Sequence, residues 1–362
     1  MLRNLAINIM AASIPDKEAR RAFRNKYKIK LFQNLVGGPN NRRMFKFNNA
    51  TVDTCRNFYK EINTPELTDK YKNLIKGLDD ESIGCLSQIL GRINLISNLN
   101  LEKEKYNAGM VDIFTDEELL QLDRLEKEFI QRIVPLANGC YAYKQHILPC
   151  KEFRANVFYY KHDIQKLKHL DRIKDKDLID AGGCISDSAI MMTEFTTGRI
   201  YTFEPTTVNY DIMLKTIELN SAKNIIPVKQ GLGSKDESLF IKLCHENYGE
   251  NKITKDQSAQ ENSDDYEQIS ITSLDSFVKG KGLDIGLIKV DVEGFEQEFL
   301  KGAYNTIKKY KPAMLISIYH NTSDFFDIKP MIESWDLGYT FKVSRPVDGG
   351  LLDETMLICE QD

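Results

Sequence analysis

Apolar residues are spaced differently on the two sides of residue 150. Before about residue 140 they recur at intervals of three and four, which is the period of an amphipathic helix. Thr115 and Glu118 have the spacing of a capping box at the start of such a helix. We therefore predict a helical N-terminal region over residues 1–150. The apolar stripes that predict its helices are Ile83, Leu86, Leu90 and Ile93, and Leu122, Leu125, Phe129 and Ile133.

After Asp177, short apolar segments alternate with helical ones, which predicts an α/β domain over residues 151–362. Its sheet should be mostly parallel, with helices on both faces. The loop 345–352 between the last two strands is too short for a helical crossover, so these strands should pair antiparallel. The polar stretch from about residue 245 to 268 predicts a surface insertion. The seven predicted strands are residues 178–182, 199–204, 224–229, 284–291, 313–319, 339–344 and 355–360.

The first of these strands ends in a glycine-containing turn. Asp180, Gly182 and Gly183 follow its apolar residues, and Ser188 lies in the first turn of the next predicted helix. Glycine lets a ligand approach the backbone, and amides at a helix start attract anions such as a carboxylate. Asp180 is placed to hold an ammonium group, directly or through water. An ordinary Gly-Gly turn without a ligand accounts for the same residues.

The second strand ends in a carboxylate, Glu204, before Pro205. Glu204 comes 24 residues after Asp180, the distance at which an acidic residue accepts the hydroxyls of a ribose. A solvent-facing acid at a strand end is the simpler alternative. The glycine fingerprint of dinucleotide-binding proteins is absent, because Ser186 stands where a later glycine is needed, which disfavours a nicotinamide-dependent enzyme. Both strand ends together favour a nucleoside-type ligand.

Three charged residues alternate at the end of the fourth strand, Lys289, Asp291 and Glu293. Alternate residues of a strand project to the same side. Three charged groups are too costly to bury unpaired, so they should line a wet cleft or coordinate a ligand. A structural ion pair of the lysine with one of the acids is the alternative.

His320 follows the fifth strand and should lie near Asp291, because the fourth and fifth strands are neighbours in this class of fold. An imidazole that titrates near neutrality suits a general base, oriented by Asp291 or Asp324. A purely structural histidine is the first alternative. In the second, Asp291, Glu293 and His320 bind a divalent cation, since oxygen ligands and an imidazole suit magnesium or manganese.

Composition and charge narrow the classes of function. The 362 residues are 42% hydrophobic and 28% charged, as in a soluble globular protein, and the net charge of −4 does not favour a nucleic-acid partner. Seven scattered cysteines without zinc-site spacing predict reduced thiols and a cytoplasmic location. The basic segment of residues 17–30 is either a solvated helical face or a helix that contacts an anionic membrane surface.

Several of these motifs resemble the FkbM family of S-adenosylmethionine-dependent methyltransferases over roughly residues 153 to 360. The resemblance implies a Rossmann-like class I methyltransferase fold and O-methylation, commonly of sugars or secondary metabolites. Family members usually have glycine at the position of Ser186, and residues 158–162 look like a segment that precedes the first strand in bacterial members. The residues that carry the resemblance are Asp180-x-Gly182, Ile185, Ser188, Phe203-Glu204-Pro205, Asn209, Lys289-x-Asp291-x-Glu293-Gly294-x-Glu296 and Leu300-x-Gly302-Ala303.

We therefore expect an O-methyltransferase that acts on a small-molecule or glycan acceptor, such as a carbohydrate or a surface-polysaccharide precursor. A non-catalytic docking module of a polysaccharide assembly, with cofactor binding lost at Ser186, is the alternative. The sequence predicts no oligomeric state. The expected cofactor residues are Asp180, Gly182, Gly183, Ser188, Glu204, Pro205 and Asn209, and the expected catalytic residues are Lys289, Asp291, Glu293 and His320.

Overall fold

The computed structural model describes residues 49–98, 114–243, 252–254 and 266–361. The predicted membrane-contact segment of residues 17–30 lies outside them. Two compact units share the described residues. Of the described residues, the helical unit contains 49–64, 86–98, 114–132 and 347–351, and the sheet unit contains 65–85, 133–243, 252–254, 266–346 and 352–361. The predicted division near residue 150 stays a prediction.

A capping box starts one of the helices of the helical unit, as the sequence predicts. Thr115 Oγ1 accepts a hydrogen bond from Glu118 N (3.2 Å), and Glu118 Oε2 accepts one from Thr115 N (2.7 Å). Of the predicted stripe, Leu122, Leu125 and Phe129 are buried, whereas Ile133 lies beyond the helix and is only half-buried. The described α-helices of the chain are α1 (Asn49–Ile62), α2 (Leu67–Ile75), α3 (Asp80–Ser97), α4 (Asp116–Glu128), α5 (Ala155–Phe158), α6 (Asp187–Met192), α7 (Thr207–Leu219), α8 (Leu274–Val278), α9 (Glu296–Tyr310) and α10 (Thr322–Glu333).

The sheet unit contains a seven-stranded sheet whose strands match all seven predicted ones to within about two residues at either end. Its order is β13-β14-β12-β11-β4-β5-β6, and the five strands from β12 to β6 are parallel. The last strand pairs antiparallel with both of its neighbours, so the predicted antiparallel pair is confirmed. The seven strands are β4 (Asp177–Ala181), β5 (Ile200–Phe203), β6 (Ile225–Val228), β11 (Ile285–Val290), β12 (Ala313–Ser317), β13 (Tyr339–Ser344) and β14 (Met356–Gln361).

Two smaller sheets were not predicted. One is antiparallel, and the other has the order β7-β10-β8-β9. Strand β9 and the start of β10 fall within residues 245–268, and β8 pairs with both strands, so the described part of the predicted surface insertion contains β-structure. The strands are β1 (Val134–Pro135), β2 (Tyr141–Tyr143), β3 (His146–Leu148), β7 (Gly231–Leu232), β8 (Glu237–Lys242), β9 (Lys252–Thr254) and β10 (Tyr266–Thr272), and the short 3-10 helices are Ile130–Arg132, Ala137–Gly139, Lys161–Lys166 and Leu170–Ile173.

Close packing of α9 fixes the strand ends that carry the predicted site residues. Phe299, Ala303 and Ile307 on this helix are fully buried. A Cβ atom at Gly302 would lie only 2.0 Å from the carbonyl oxygen of Gly233, so the helix approaches that backbone more closely than any side chain allows. The helix begins directly after the turn that follows β11, and it therefore holds that turn in place.

None of the helices in the described part of the chain has the length and apolar character needed to cross a membrane. All six described cysteines are free thiols.

Candidate active site

A cavity of about 710 Å³, its open mouth included, lies at the carboxyl ends of β4, β5 and β11. This volume is in the range of small-molecule sites, and ligands of open α/β sheets bind at this edge. Six predicted site residues line it: Gly182, Glu204, Pro205, Asn209, Asp291 and Glu293. The other five, Asp180, Gly183, Ser188, Lys289 and His320, are not part of its lining. The remaining lining residues are Arg154, Cys184, Phe203, Gly231, Leu232, Ile241, Ile271, Val292 and Phe295.

The turn after β4 is shaped by close contact with the end of β11. Gly182 has a φ of +82°, and a Cβ atom there would lie 1.7 Å from the carbonyl oxygen of Asp291. Any side chain at this position would push the two strand ends apart, so only glycine fits. Ser186 also has a left-handed backbone, with a φ of +68°. The left-handed backbone thus explains why glycine suits the position of Ser186.

Asp180 and Lys289 form a buried ion pair that joins β4 to β11. Lys289 Nζ lies 3.3 Å from Asp180 Oδ1 and donates a hydrogen bond to the carbonyl oxygen of Gly182 (2.9 Å). Asp180 Oδ2 accepts hydrogen bonds from Ser188 Oγ (2.7 Å) and Thr202 Oγ1 (2.9 Å). Burial lowers the pKa of Lys289, but the acidic neighbours, Asp180 first, raise it more, so the ammonium stays charged. The enclosed position of Asp180 restricts its predicted contact with a ligand to an indirect one.

Glu204 ends β5 and presents a carboxylate to the cavity. Its Oε1 accepts hydrogen bonds from Thr206 N (2.9 Å) and Thr206 Oγ1 (2.5 Å), and the Asn209 side chain also bonds to the carboxylate. Burial raises the pKa of Glu204 to about 7, although these hydrogen bonds lower it. A carboxylate offers about four lone-pair positions, so Glu204 is held in place and keeps capacity to accept bonds from a ligand.

His320 lies among three carboxylates just after β12. Its Nδ1 is 2.9 Å from Glu296 Oε1, and its Nε2 is 3.5 Å from Asp291 Oδ1 and 3.6 Å from Glu293 Oε2. The structure therefore brings together the three residues that the sequence places near one another. Among the described residues no ion pair joins the ring to Asp324, and the nearest acid is Glu296, which the sequence analysis named only as part of the family motif.

These surroundings set the protonation of His320 and Glu293. Burial lowers the pKa of His320, but Glu296, Asp291 and Glu293 raise it more, to about 9. Burial and the charge of Asp291 raise the pKa of Glu293 to about 7. The imidazole therefore carries a proton at neutral pH, which removes the reason for its predicted role as the base. Glu293, which lines the cavity, has the pKa near neutrality that a general base needs.

Two residues of the site were missed by the sequence analysis. Arg154, at the start of α5, lines the cavity beside the turn after β4. His162 is buried, and neither of its ring nitrogens has a hydrogen-bond partner among the described residues. Burial and the charge of Lys289 lower the pKa of His162 to about 4, so this imidazole is neutral. Lys161, His162 and Asp163 all have a left-handed backbone, and such strained runs concentrate at functional sites.

The strand order of the main sheet, with its antiparallel last strand, is that of a Rossmann-like class I methyltransferase fold. Residues 180–341 match the family model described as the methyltransferase FkbM domain. This match covers part of the chain, and it identifies the protein as a methyltransferase. A relative named Methyltransferase 1, from Beauveria bassiana (strain ARSEF 2860), is 25% identical over 189 residues, which cover 48% of this chain and 75% of that protein.

Solved structures that resemble the chain include two methyltransferases. The methyltransferase FkbM from Methylobacillus flagellatus KT is 17% identical, with a TM-score of 0.40 over 76% of this chain and 69% of that chain. A putative methyltransferase from Streptococcus mutans, in complex with SAH, is 10% identical, with a TM-score of 0.34 over 56% of this chain and 94% of that chain.

Proposed function

We propose that the protein transfers the methyl group of S-adenosylmethionine to a hydroxyl group. The observation that carries this proposal is the carboxylate of Glu204, held at the cavity wall at the end of β5 and across from the glycine turn of β4. A carboxylate so placed accepts the two hydroxyls of a ribose. The apolar side chains of Leu232, Ile241 and Ile271 around the same cavity suit the adenine ring.

Bound S-adenosylmethionine supplies an electrophilic methyl group, so the protein has to align the acceptor, exclude water and remove one proton. Glu293 lines the cavity and is the residue that we assign to the removal of the hydroxyl proton. The neighbouring imidazolium of His320, 3.6 Å from Glu293 Oε2, favours the ionised form of this base. Asp291 lies between Lys289 and His320, so its charge is balanced on both sides.

Isothermal titration with S-adenosylhomocysteine tests the cofactor assignment. We expect micromolar binding by the wild type and a loss of at least roughly tenfold in Glu204→Gln, because a hydrogen-bond acceptor for the ribose is weakened. Glu218→Gln, an exposed acid on α7, is the matched control and should bind as the wild type does. A wild-type protein that does not bind would reject the proposal and favour a non-catalytic docking module.

The nature of the acceptor is also proposed. A carbohydrate or a surface-polysaccharide precursor follows from the family resemblance, an argument by analogy. We place the reaction in the cytoplasm, since the scattered cysteines fit a reducing compartment. Residues 17–30 would then allow contact with an anionic membrane surface. Incubation with radiolabelled cofactor and candidate sugars, with methyl incorporation as the readout, distinguishes these acceptors from a small secondary metabolite.

The divalent cation stays a prediction of the sequence. Asp291, Glu296 and His320 place potential ligand atoms within 4.8 Å of one another. The proposed chemistry does not depend on such an ion, and turnover in the presence and absence of a chelator tests its use.

A further inference from the structure

We infer that Arg154 binds the carboxylate at the methionyl end of the cofactor and thereby selects nucleosides that carry an amino-acid group. This inference rests on the proposed function, and it assigns a residue that lies outside the matched domain of residues 180–341. Arg154 comes directly before α5 and reaches the cavity from a segment that precedes the seven-stranded sheet.

The guanidinium of Arg154 has no hydrogen-bond or ion-pair partner among the described residues. It lines the cavity, is half-buried, and forms neither an ion pair nor a hydrogen bond with any residue in the described ranges. Burial lowers the pKa of Arg154, but the negative charge of Asp187, followed by weaker contributions from Cys184, Glu354 and Asp291, raises it more. The cation is therefore stabilised at a distance, and its five N–H donors remain free for a ligand.

The cavity is lined by two chemically different groups of side chains. Leu232, Ile241 and Ile271 are aliphatic and belong to strands of the four-stranded sheet. Arg154 and Asp291 are charged, and Arg154 interacts electrostatically with Cys184 and Asp187, which lie in and just after the turn that follows β4. A ligand that combines an apolar adenine with a zwitterionic amino acid matches both groups.

Glu204 lines the same cavity and would accept the ribose hydroxyls, with the aliphatic side chains against the adenine. The amino-acid group of the ligand is then left for the charged part of the lining. Arg154 is the one cation among the described lining residues, and its planar fork matches carboxylate geometry.

The short helix after the turn does not provide a binding site for the carboxylate of the ligand. Helix α6 has six residues, and its N-cap, Ser186, has a left-handed backbone and makes no side-chain capping bond. The buried carboxylate of Asp187 opens the first turn, where it repels a second anion. An arginine from outside the turn is thus needed to neutralise a carboxylate bound in the cavity.

Two ligands that differ only in the carboxylate test the inference. S-adenosylhomocysteine carries it, and S-adenosyl-3-thiopropylamine keeps the adenosine, the thioether and the ammonium but lacks it. Titration of the full chain should show that Arg154→Met weakens binding of the first ligand roughly 10- to 100-fold, the range of a charge-assisted pair, and leaves the second within about threefold. Arg154→Lys should weaken the binding of S-adenosylhomocysteine less than Arg154→Met does, because lysine keeps the positive charge although it lacks the planar fork of N–H donors.

Arg172→Met serves as the matched control, since Arg172 is exposed and donates to the carbonyl oxygen of Gln361. Unchanged binding of the amine by Arg154→Met also shows that the variant is folded. If Arg154→Met weakens the binding of both ligands equally, or of neither, the inference is overturned while the cofactor proposal stands. A wild-type protein that binds neither nucleoside overturns both.

Discussion

At the scale of single residues, the imidazoles of His162 and His320 carry different charges at neutral pH because their surroundings differ. His320 has three carboxylates within 3.6 Å of its ring nitrogens, and these raise its pKa to about 9. His162 is buried near the ammonium of Lys289, and its pKa falls to about 4. Protonation of each ring is thus set by neighbours distant in sequence.

This arrangement predicts a sigmoidal pH dependence of kcat/KM for a hydroxyl acceptor. Activity should rise as the pH passes about 7, where Glu293 ionises, and then stay level, because Glu293 remains ionised when His320 loses its proton near pH 9. Glu293→Gln should lower turnover roughly 10²- to 10⁴-fold, the usual contribution of a general base. Initial rates across this pH range check the prediction, with S-adenosylhomocysteine affinity as the measure of an intact site.

Loss of cofactor affinity in Glu293→Gln with turnover otherwise intact would contradict the base role. Glu218→Gln again provides the control, because this acid is exposed and distant from the cavity lining.

Ser186 is a second residue whose surroundings predict a measurable effect. Its φ of +68° costs about 1 to 2 kcal/mol for a residue with a side chain, and its buried hydroxyl has no hydrogen-bond partner among the described residues. Ser186→Gly should therefore raise the free energy of unfolding by about 1 kcal/mol, after the entropy cost of glycine is included. Chemical denaturation measures this change.

Ser186→Ala separates the two contributions, since it removes the hydroxyl and retains the left-handed strain. Ser186→Ala should therefore raise the free energy of unfolding less than Ser186→Gly does. If Ser186→Gly were less stable than the wild type, the serine hydroxyl would contribute more to stability than its left-handed backbone costs.

The sequence located the residues of the site at strand ends and missed those elsewhere. Glu204, Asp291 and Glu293 each follow an apolar strand, so their approximate position was predictable from the fold class. Arg154 and His162 lie before the first strand of the main sheet, in a segment without a periodic apolar pattern from which side-chain directions could be predicted. The run of positive φ at residues 161–163 has no glycine to signal it.

At the scale of elements, the packing of α9 against the Gly233 backbone gives a paired prediction. Gly302→Ala should lower the free energy of unfolding by about 1 to 3 kcal/mol, because its Cβ would lie 2.0 Å from the carbonyl oxygen of Gly233. Gly84→Ala on α3 is the control, since a Cβ there meets no atom within 4 Å. This variant should gain up to about 1 kcal/mol from helix propensity.

Denaturant unfolding of both variants tests the pair. Both glycines lie in helices and belong to the sheet unit. Opposite signs of the two changes in the free energy of unfolding would therefore isolate the effect of close packing. A Gly302→Ala variant as stable as the wild type would mean that α9 can move away from Gly233 without cost.

The central strands β4, β5, β11 and β12 of the main sheet were predictable because nearly all of their residues are buried, so that they read as continuous apolar runs. The antiparallel pair β13 and β14 followed from the short loop between them. Strand β10 was overlooked because its first residues, Tyr266, Glu267 and Gln268, are polar or half-exposed, and its pairing with β8 depends on tertiary contact rather than on local pattern.

At the scale of the whole molecule, the chain assembles one cavity from segments that are far apart in sequence. Arg154 precedes the main sheet, Glu204 follows its second strand, and Glu293 follows its fourth. Each segment is a turn at the end of a rigid element, so the scaffold fixes their separation. A substitution that tilts any one of these elements should therefore affect ligand affinity and stability together.

The order of the main sheet also bears on how the protein is made on the ribosome. Strand β14 lies between β12 and β13, and these two reach each other only through it. During synthesis β12 and β13 must wait for residues 356–361 to leave the exit tunnel, with an apolar edge of β12 uncovered in the meantime. Completion of this side of the sheet therefore follows the synthesis of β14, and the uncovered edge of β12 is a site for chaperones in the interval before it.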